Sequence, residues 1–309
     1  MDNTLYCLAG PTAVGKTELS LRWAELYRAE ILYCDAVSMY RGMDIGAAKP
    51  TAEEQARVPH HGLDLSPASE PFTVADYMAY AADTIRAIHA RGNRVLISGG
   101  SGFYLKSFFA PVVDNVSVPP EIRQTVRDLE TAEGLSGMVH ALRACSPQGM
   151  GNVDLLNPRR VSRALERCLA SGLSVAQLEA RFATMPTPFD AYPRRLCVLM
   201  RNRDELRARA AVRARKMLAD GLIEEVRQLR AEGLEQNVSA ASAIGYREVL
   251  AWLDHPDADM DSLAAEIALN TNKLIKKQIS WFRNQLTADW LYEMAEGECG
   301  QPEELFPQP

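Results

Sequence analysis

Short apolar runs alternate with stretches of helical spacing over the first hundred residues. Leu5-Tyr6-Cys7-Leu8-Ala9 runs apolar up to Gly10, which predicts a buried strand. Over 16–27 the apolar positions Leu19, Leu21, Trp23 and Leu26 define a helical face. Residues 30–34 read as a second strand that ends at Asp35. Residues 74–91 read as a helix stopped by Gly92. Val95-Leu96-Ile97-Ser98 is a third strand, followed by Gly99-Gly100-Ser101-Gly102, and 196–200 is a fourth. Strands alternating with helices predict an α/β fold with a parallel sheet and ligands at the carboxyl ends of its strands.

Two proline-rich seams, 111–120 and 186–193, interrupt this alternation. The segment between them, about 121–181, has helical spacing and no convincing strand. It is expected to be a helical insertion over 114–190, with the α/β core formed by 1–113 and 191–309. The stretch 203–285 is again mostly helical in pattern. The tail after Glu296 is polar and contains proline, so it is expected to be loose.

Composition narrows the class. The 309 residues are 47% hydrophobic, enough for a sizeable core, and 24% charged, which is ordinary for a globular chain. No apolar run reaches eighteen residues, so no membrane span is expected. Met1-Asp2-Asn3-Thr4 lacks the basic start of a secretory signal. Cysteines 7, 34, 145, 168, 197 and 299 form no C-x-x-C pair, which favours a reducing cytoplasm over disulfides or zinc. The net charge is −6, yet residues 194–216 hold nine basic and two acidic residues, a local +7. Lys273, Lys276, Lys277 and Arg283 form a second basic cluster. Local basic patches on an acidic chain fit a discrete nucleic-acid footprint better than indiscriminate binding.

The chemistry is concentrated in Gly10-Pro11-Thr12-Ala13-Val14-Gly15-Lys16-Thr17, which fits G-x-x-x-x-G-K-[ST] at every fixed position. Phosphate needs donors without bulk. The glycines let backbone N–H groups turn inward, the following helix adds its dipole, Lys16 supplies a charge and Thr17 a hydroxyl for Mg²⁺. The expected context, a strand before and a helix after, is present. Many phosphoryl-transfer enzymes hold their metal with an acid at the end of a second apolar strand. Here Leu96-Ile97-Ser98-Gly99 ends without one, and the strand that ends in an acid is the one that reaches Asp35. Asp35 reads either as a turn cap or as a metal ligand or general base. His60-His61 reads as structural, and Trp281-Phe282 as helix packing with Ile279 and Leu286.

Several stretches in order resemble one family. The P-loop is followed by Asp35-Ala36-Val37-Ser38-Met39-Tyr40-Arg41-Gly42-Met43-Asp44-Ile45-Gly46-Ala47-Ala48-Lys49-Pro50, then Pro59-His60-His61-Gly62-Leu63-Asp64 and Gly99-Gly100-Ser101-Gly102-Phe103-Tyr104. Arg159-Arg160-Val161-Ser162-Arg163-Ala164-Leu165-Glu166, Ala243-Ile244-Gly245-Tyr246-Arg247-Glu248 and Lys277-Gln278-Ile279-Ser280-Trp281-Phe282-Arg283 complete the set. The chain is similar, from residue 5 to about 291, to the bacterial tRNA dimethylallyltransferases, also called tRNA isopentenyltransferases. The P-loop is widely shared, whereas the segment 35–50 and the ordered later motifs are specific.

The resemblance implies a P-loop NTPase-like core with a helical insertion domain that contacts tRNA. It implies transfer of the dimethylallyl group of dimethylallyl diphosphate to N6 of the adenosine beside the anticodon (tRNA position 37). Gly10 to Thr17 would then hold a diphosphate leaving group with Mg²⁺ at Thr17. Asp35 matches the family's general base, and Arg213 matches an arginine near the diphosphate. Asp35, Ala36, Val37 and Ser38 match one tRNA-contact stretch, and Arg159, Arg160, Val161, Ser162 and Arg163 a second. Ser242, Ala243, Ile244, Gly245, Tyr246 and Arg247 match a third, and Lys276, Lys277, Gln278 and Arg283 a fourth. Ser101 and Arg123 match further tRNA contacts. A cytoplasmic monomer acting on the anticodon loop is expected. The chain departs from the family at Ala36, usually serine, at Arg159, usually glutamine, and at Ser101, usually threonine. Ala36 and Arg159 remove possible hydrogen bonds, whereas Ser101 keeps its hydroxyl. The rival readings are a P-loop kinase of a nucleoside or small metabolite and a non-catalytic RNA-binding protein gated by nucleotide.

Overall fold

A computed structural model describes residues 2–255 and 259–307. Among these, eight strands run in chain order as β1 (Leu5–Ala9), β2 (Ala29–Tyr33), β3 (Tyr40–Arg41), β4 (His60–His61), β5 (Ser66–Pro67), β6 (Arg94–Gly99), β7 (Arg194–Arg201) and β8 (Trp290–Met294). Around the first six lie α1 (Lys16–Tyr27), α2 (Ala52–Arg57), α3 (Val74–Ala90) and α4 (Gly102–Lys106). Then come α5 (Pro120–Cys145), α6 (Pro158–Ser171) and α7 (Val175–Ala183). The last third holds α8 (Arg203–Ala219), α9 (Leu222–Ala231), α10 (Val238–Ala241), α11 (Tyr246–Asp254) and α12 (Met260–Gln285).

Six strands form one parallel sheet in the order β4-β2-β6-β1-β7-β8. A parallel sheet is covered on both faces, so its inner strands read as unbroken apolar runs. That is why β1, β6 and β7 were visible in the sequence. Leu5 lies opposite Val95 on one side and Arg194 on the other, so β1 occupies the middle. The carboxyl ends of β1, β2 and β6 bring Gly10, Asp35 and Gly100 to one edge. Cys34 N donates to Ser98 O at 2.9 Å, which joins two of those ends.

β4 and β8 carry no such signal. The former is two residues long, and the latter, at the edge, leaves Trp290 and Leu291 exposed. The tail is packed rather than loose. Leu305 is fully buried, and the Phe306 ring lies 5.1 Å from Tyr6 and 5.3 Å from Trp23. Arg195 Nη1 donates to Phe306 O at 3.4 Å. Two late apolar side chains in a polar stretch are enough to close it onto α1. Residues 308 and 309 of that tail lie outside the described residues.

The chain divides into two units, Met1–Phe109 with Pro188–Pro309, and Ala110–Thr187. The helical unit thus begins and ends a few residues before the 114–190 expected from the prolines. The reason is aromatic: Phe108 and Phe189 are fully buried in the α/β core, with ring centroids 4.5 Å apart. The helical unit has its own core of Val126, Met138, Leu142, Val161, Leu165, Cys168 and Val175. Asn157 caps α6 by accepting from Arg160 N, Pro158 opens it, and Gly172 closes it in the left-handed region at φ +70°.

Candidate active site

The P-loop is built by steric exclusion. Gly10 has φ +154°, and a Cβ there would lie 2.8 Å from Leu199 O, so the turn out of β1 admits no side chain. Gly15 stands at the N-cap of α1 with φ 108°, and no side chain caps that helix. Its first N–H groups therefore remain available to an anion. The loop's carbonyls are held from several directions. Lys16 Nζ donates to Gly10 O and Pro11 O, both at 2.8 Å. Arg209 Nε donates to Ala13 O at 2.8 Å, and Arg201 Nε to Val14 O at 3.2 Å. Thr12 N donates to Gln278 Oε1 at 2.9 Å, and Arg213 Nη1 donates to Thr12 Oγ1 at 3.3 Å.

This loop floors a cleft of about 730 Å³ that is also lined by Asp35, Arg213 and Gln278. Its other walls are largely apolar, from Val37, Met217, Ile244, Ile267 and Leu274. Lys16 and Arg213 sit deep in the cleft while keeping part of their surface open to it. Burial pushes the Lys16 ammonium down to about 7, with Asp35 opposing the shift and Arg213 adding to it. Burial also lowers Arg213, again against the pull of Asp35. One carboxylate thus acts electrostatically on both cations of the cleft.

Asp35 is a turn cap whose carboxylate also lines the cleft. Its Oδ1 accepts from Val37 N at 2.9 Å and Ser38 N at 3.2 Å, which is a turn cap. Its Oδ2 accepts from Ser101 Oγ at 3.3 Å, and Ser101 Oγ in turn accepts from Ala36 N at 2.9 Å. Ser101 therefore orients the carboxylate, a contact the sequence did not signal.

Gly46, Ala47 and Ala48 of the loop 44–48 form another part of the wall. Glu225 accepts from Asp44 N at 3.1 Å, Ile45 N at 2.7 Å and Gly46 N at 3.1 Å. Tyr246 Oη donates to Glu225 Oε1 at 2.7 Å and accepts from Ala47 N at 3.2 Å. Sequence reasoning missed Glu225, because one glutamate in the first turn of a helix reads as an ordinary dipole partner.

Of the residues expected at the site, Gly10 to Thr17, Asp35, Val37, Ser38, Arg213, Ile244 and Gln278 come together on the α/β core, with Ser101 against Asp35. Arg123, Arg159, Arg160, Val161, Ser162 and Arg163 lie in the helical unit. Three expected RNA contacts have buried side chains, Ser38 at 4% exposure beside Asp35 and two more in packed cores. Val161 is 0% exposed in the helical core, and Tyr246 is 0% exposed beneath Gly46. Val161 and Tyr246 pack their segments instead of offering a surface. Arg123, Arg159, Arg160, Arg163, Ser242, Arg247, Lys276, Lys277 and Arg283 are exposed.

The basic stretch 194–216 is less a surface than its charge suggested. Arg201 is 7% exposed and also donates to Glu298 O at 2.7 Å. Arg194 Nη1 donates to Phe108 O at 2.9 Å, and Arg195 holds the tail. Arg203, Arg207, Arg215 and Lys216 remain exposed on α8. His61 Nε2 meets Glu30 Oε2 at 2.6 Å and His60 Nδ1 meets Val58 O at 2.8 Å, so both histidines are structural. Among the described residues no group of three His, Cys, Asp or Glu could hold a metal ion. None of their helices is long and apolar enough to cross a membrane.

The family described as IPP transferase matches residues 38–285. A tRNA dimethylallyltransferase of Opitutus terrae is 53% identical over 284 residues, covering 91% of this chain and 90% of that protein. One from Trichlorobacter lovleyi is 36% identical and covers 94% of each. Among solved structures, the tRNA isopentenylpyrophosphate transferase of Bacillus halodurans superposes with a TM-score of 0.67 at 30% identity, covering 96% of this chain and 92% of that one. A eukaryotic dimethylallyltransferase acting on tRNA shares the fold, with a TM-score of 0.77 at 23% identity over 90% of this chain and 69% of its own. A P-loop beside an oriented aspartate, in a chain matched almost end to end by these enzymes, makes this protein a member of the IPP transferase family.

Proposed function

We propose that this chain transfers the dimethylallyl group of dimethylallyl diphosphate to N6 of the adenosine adjacent to the anticodon of tRNA, releasing diphosphate. The observation that carries this reading is the single cleft shared by Asp35 and the cations Lys16 and Arg213. An exocyclic amine is a poor nucleophile, and a carboxylate that takes its proton helps as the C–N bond forms. The C–O bond to diphosphate breaks at the same carbon. The charge that develops on the leaving oxygens is met by Lys16, Arg213 and the N–H groups at the start of α1. The apolar walls at Val37, Ile244 and Ile267 suit a five-carbon hydrocarbon tail and keep water from the allylic centre.

The donor set fits Mg²⁺ brought in with the diphosphate. Thr17 offers a hydroxyl in the cleft, and a hard cation that keeps its waters needs few protein ligands beyond substrate oxygens. When bound, the ion would neutralise charge on the diphosphate. A tRNA substrate would meet the exposed Lys276, Lys277 and Arg283 of α12 and the arginines of the helical unit. Arginine suits this role because it pairs with phosphate and stacks on splayed bases. The names of the relatives favour this reading over a small-metabolite kinase.

The test is mass analysis of tRNA nucleosides after incubation with dimethylallyl diphosphate and Mg²⁺. The expected product is an N6-prenylated adenosine mapping beside the anticodon. Label passing from ATP to a small acceptor, with no prenylated nucleoside, would sink the reading.

A further inference from the structure

Helix α12 carries different chemistry on its two sides. Lys276, Lys277 and Arg283 are exposed. Gln278 reaches the other way and uses both ends of its amide. Oε1 accepts from Thr12 N, and Nε2 donates to Gly100 O, each at 2.9 Å. One side chain therefore ties the loop after β1 to the loop after β6.

The fit around it is tight. A Cβ on Gly100 would lie 2.9 Å from Gln278 Nε2. Three residues along the helix, Trp281 covers Gly102, where a Cβ would lie 2.4 Å from the indole Cε3. Two glycines in Gly99-Gly100-Ser101-Gly102 thus admit the helix. The loops it joins hold the two halves of the chemistry. Lys16 is bonded to Gly10 O and Pro11 O on the first. Ser101, which holds Asp35 Oδ2, is next to Gly100 on the second.

We infer that Gln278 is a positioning residue for prenyl transfer, not an RNA contact. Its paired hydrogen bonds fix the distance between the diphosphate loop and the carboxylate's support. They do so from the helix whose other side is basic. A displacement of about 1 Å between reacting groups can cost about a hundredfold in rate, so a brace at this junction has a large kinetic effect. The inference rests on the prenyl-transfer reading above.

The experiment compares wild type, Gln278→Met, Gly100→Ala and the double variant. Methionine keeps the length and loses both bonds. Alanine pushes the amide away from the opposite side. Four quantities are read: kcat/KM for dimethylallyl diphosphate, Kd for inorganic pyrophosphate, Kd for tRNA, and the thermal transition. Each single variant is expected to lose about 10- to 100-fold in kcat/KM and to weaken pyrophosphate binding. The tRNA Kd should stay within about twofold, and the double variant should be little worse than either single one, because both break the same contact. A tenfold weaker tRNA Kd with turnover and pyrophosphate affinity retained would overturn the inference, as would additive losses in the double variant. Should Gln278→Met fail to fold, Gly100→Ala carries the same comparison. A wild-type protein that binds pyrophosphate but prenylates no tRNA would instead defeat the parent reading, and the pyrophosphate measurements would still report on the brace.

Discussion

At Asp35 one carboxylate oxygen accepts two N–H bonds from its own turn while the other accepts from Ser101. Replacing it by asparagine keeps an oxygen for the turn and removes the proton acceptor. Asp35→Asn should therefore lower single-turnover prenylation by about 10²- to 10⁴-fold and leave tRNA affinity nearly unchanged. Equal loss of affinity and rate would assign Asp35 to binding. Lys16 makes a second prediction. Its proton is held only up to about pH 7 in the unliganded cleft, and a diphosphate favours the charged form. Pyrophosphate affinity should thus fall as pH rises above about 7, and binding near neutrality should take up a proton. Calorimetry in buffers of different ionisation enthalpy would detect that uptake. The P-loop and Asp35 were legible because a fixed spacing and a strand end announce them. Arg201 was not: an arginine at the end of an apolar strand looks like the start of a charged surface until Val14 O and Glu298 O are found bonded to it.

Among the elements, α9 shows how a helix can shape a site it does not enter. Glu225 gathers three backbone N–H groups of the loop 44–46 and the Tyr246 hydroxyl. Glu225→Ala leaves those donors without their acceptor. The expected cost is about 1–3 kcal/mol in urea unfolding, with faster amide exchange confined to 44–48. Exchange unchanged in that loop would refute the assignment. Elements buried on both faces, such as β6, could be read from apolarity alone. The edge strand β8 could not, since Trp290 and Leu291 face outward and its pairing to β7 is a backbone matter. Gln278 falls in the stretch 276–283 that the family resemblance assigns to RNA contact, beside Lys276 and Lys277. Helical geometry turns adjacent residues to different sides, and only the packed helix shows which side is which.

For the whole molecule, the α/β core and the helical unit each bury their own apolar cluster. Leu142 is fully buried in the helical unit Ala110–Thr187. Leu142→Ala should destabilise that unit by about 2–5 kcal/mol and raise amide exchange across α5 and α6, with protection at the P-loop unchanged. A matching loss at the P-loop would show one cooperative unit. The proline seams marked this division in the sequence, but its limits follow Phe108 and Phe189, whose burial in the α/β core no local pattern reveals.

The place of β1 at the centre of the sheet has a consequence for the order of assembly. Its two neighbours are β6, ninety residues later, and β7, made only after the entire helical unit. A nascent chain that stops before residue 194 leaves one edge of β1 bare, with Gly10 lacking the Leu199 backbone that shapes its turn. The P-loop motif is thus synthesised well before β7, the strand that completes its shape. Until β7 is added, the chain exposes a hydrophobic strand edge of the kind that seeks other partners.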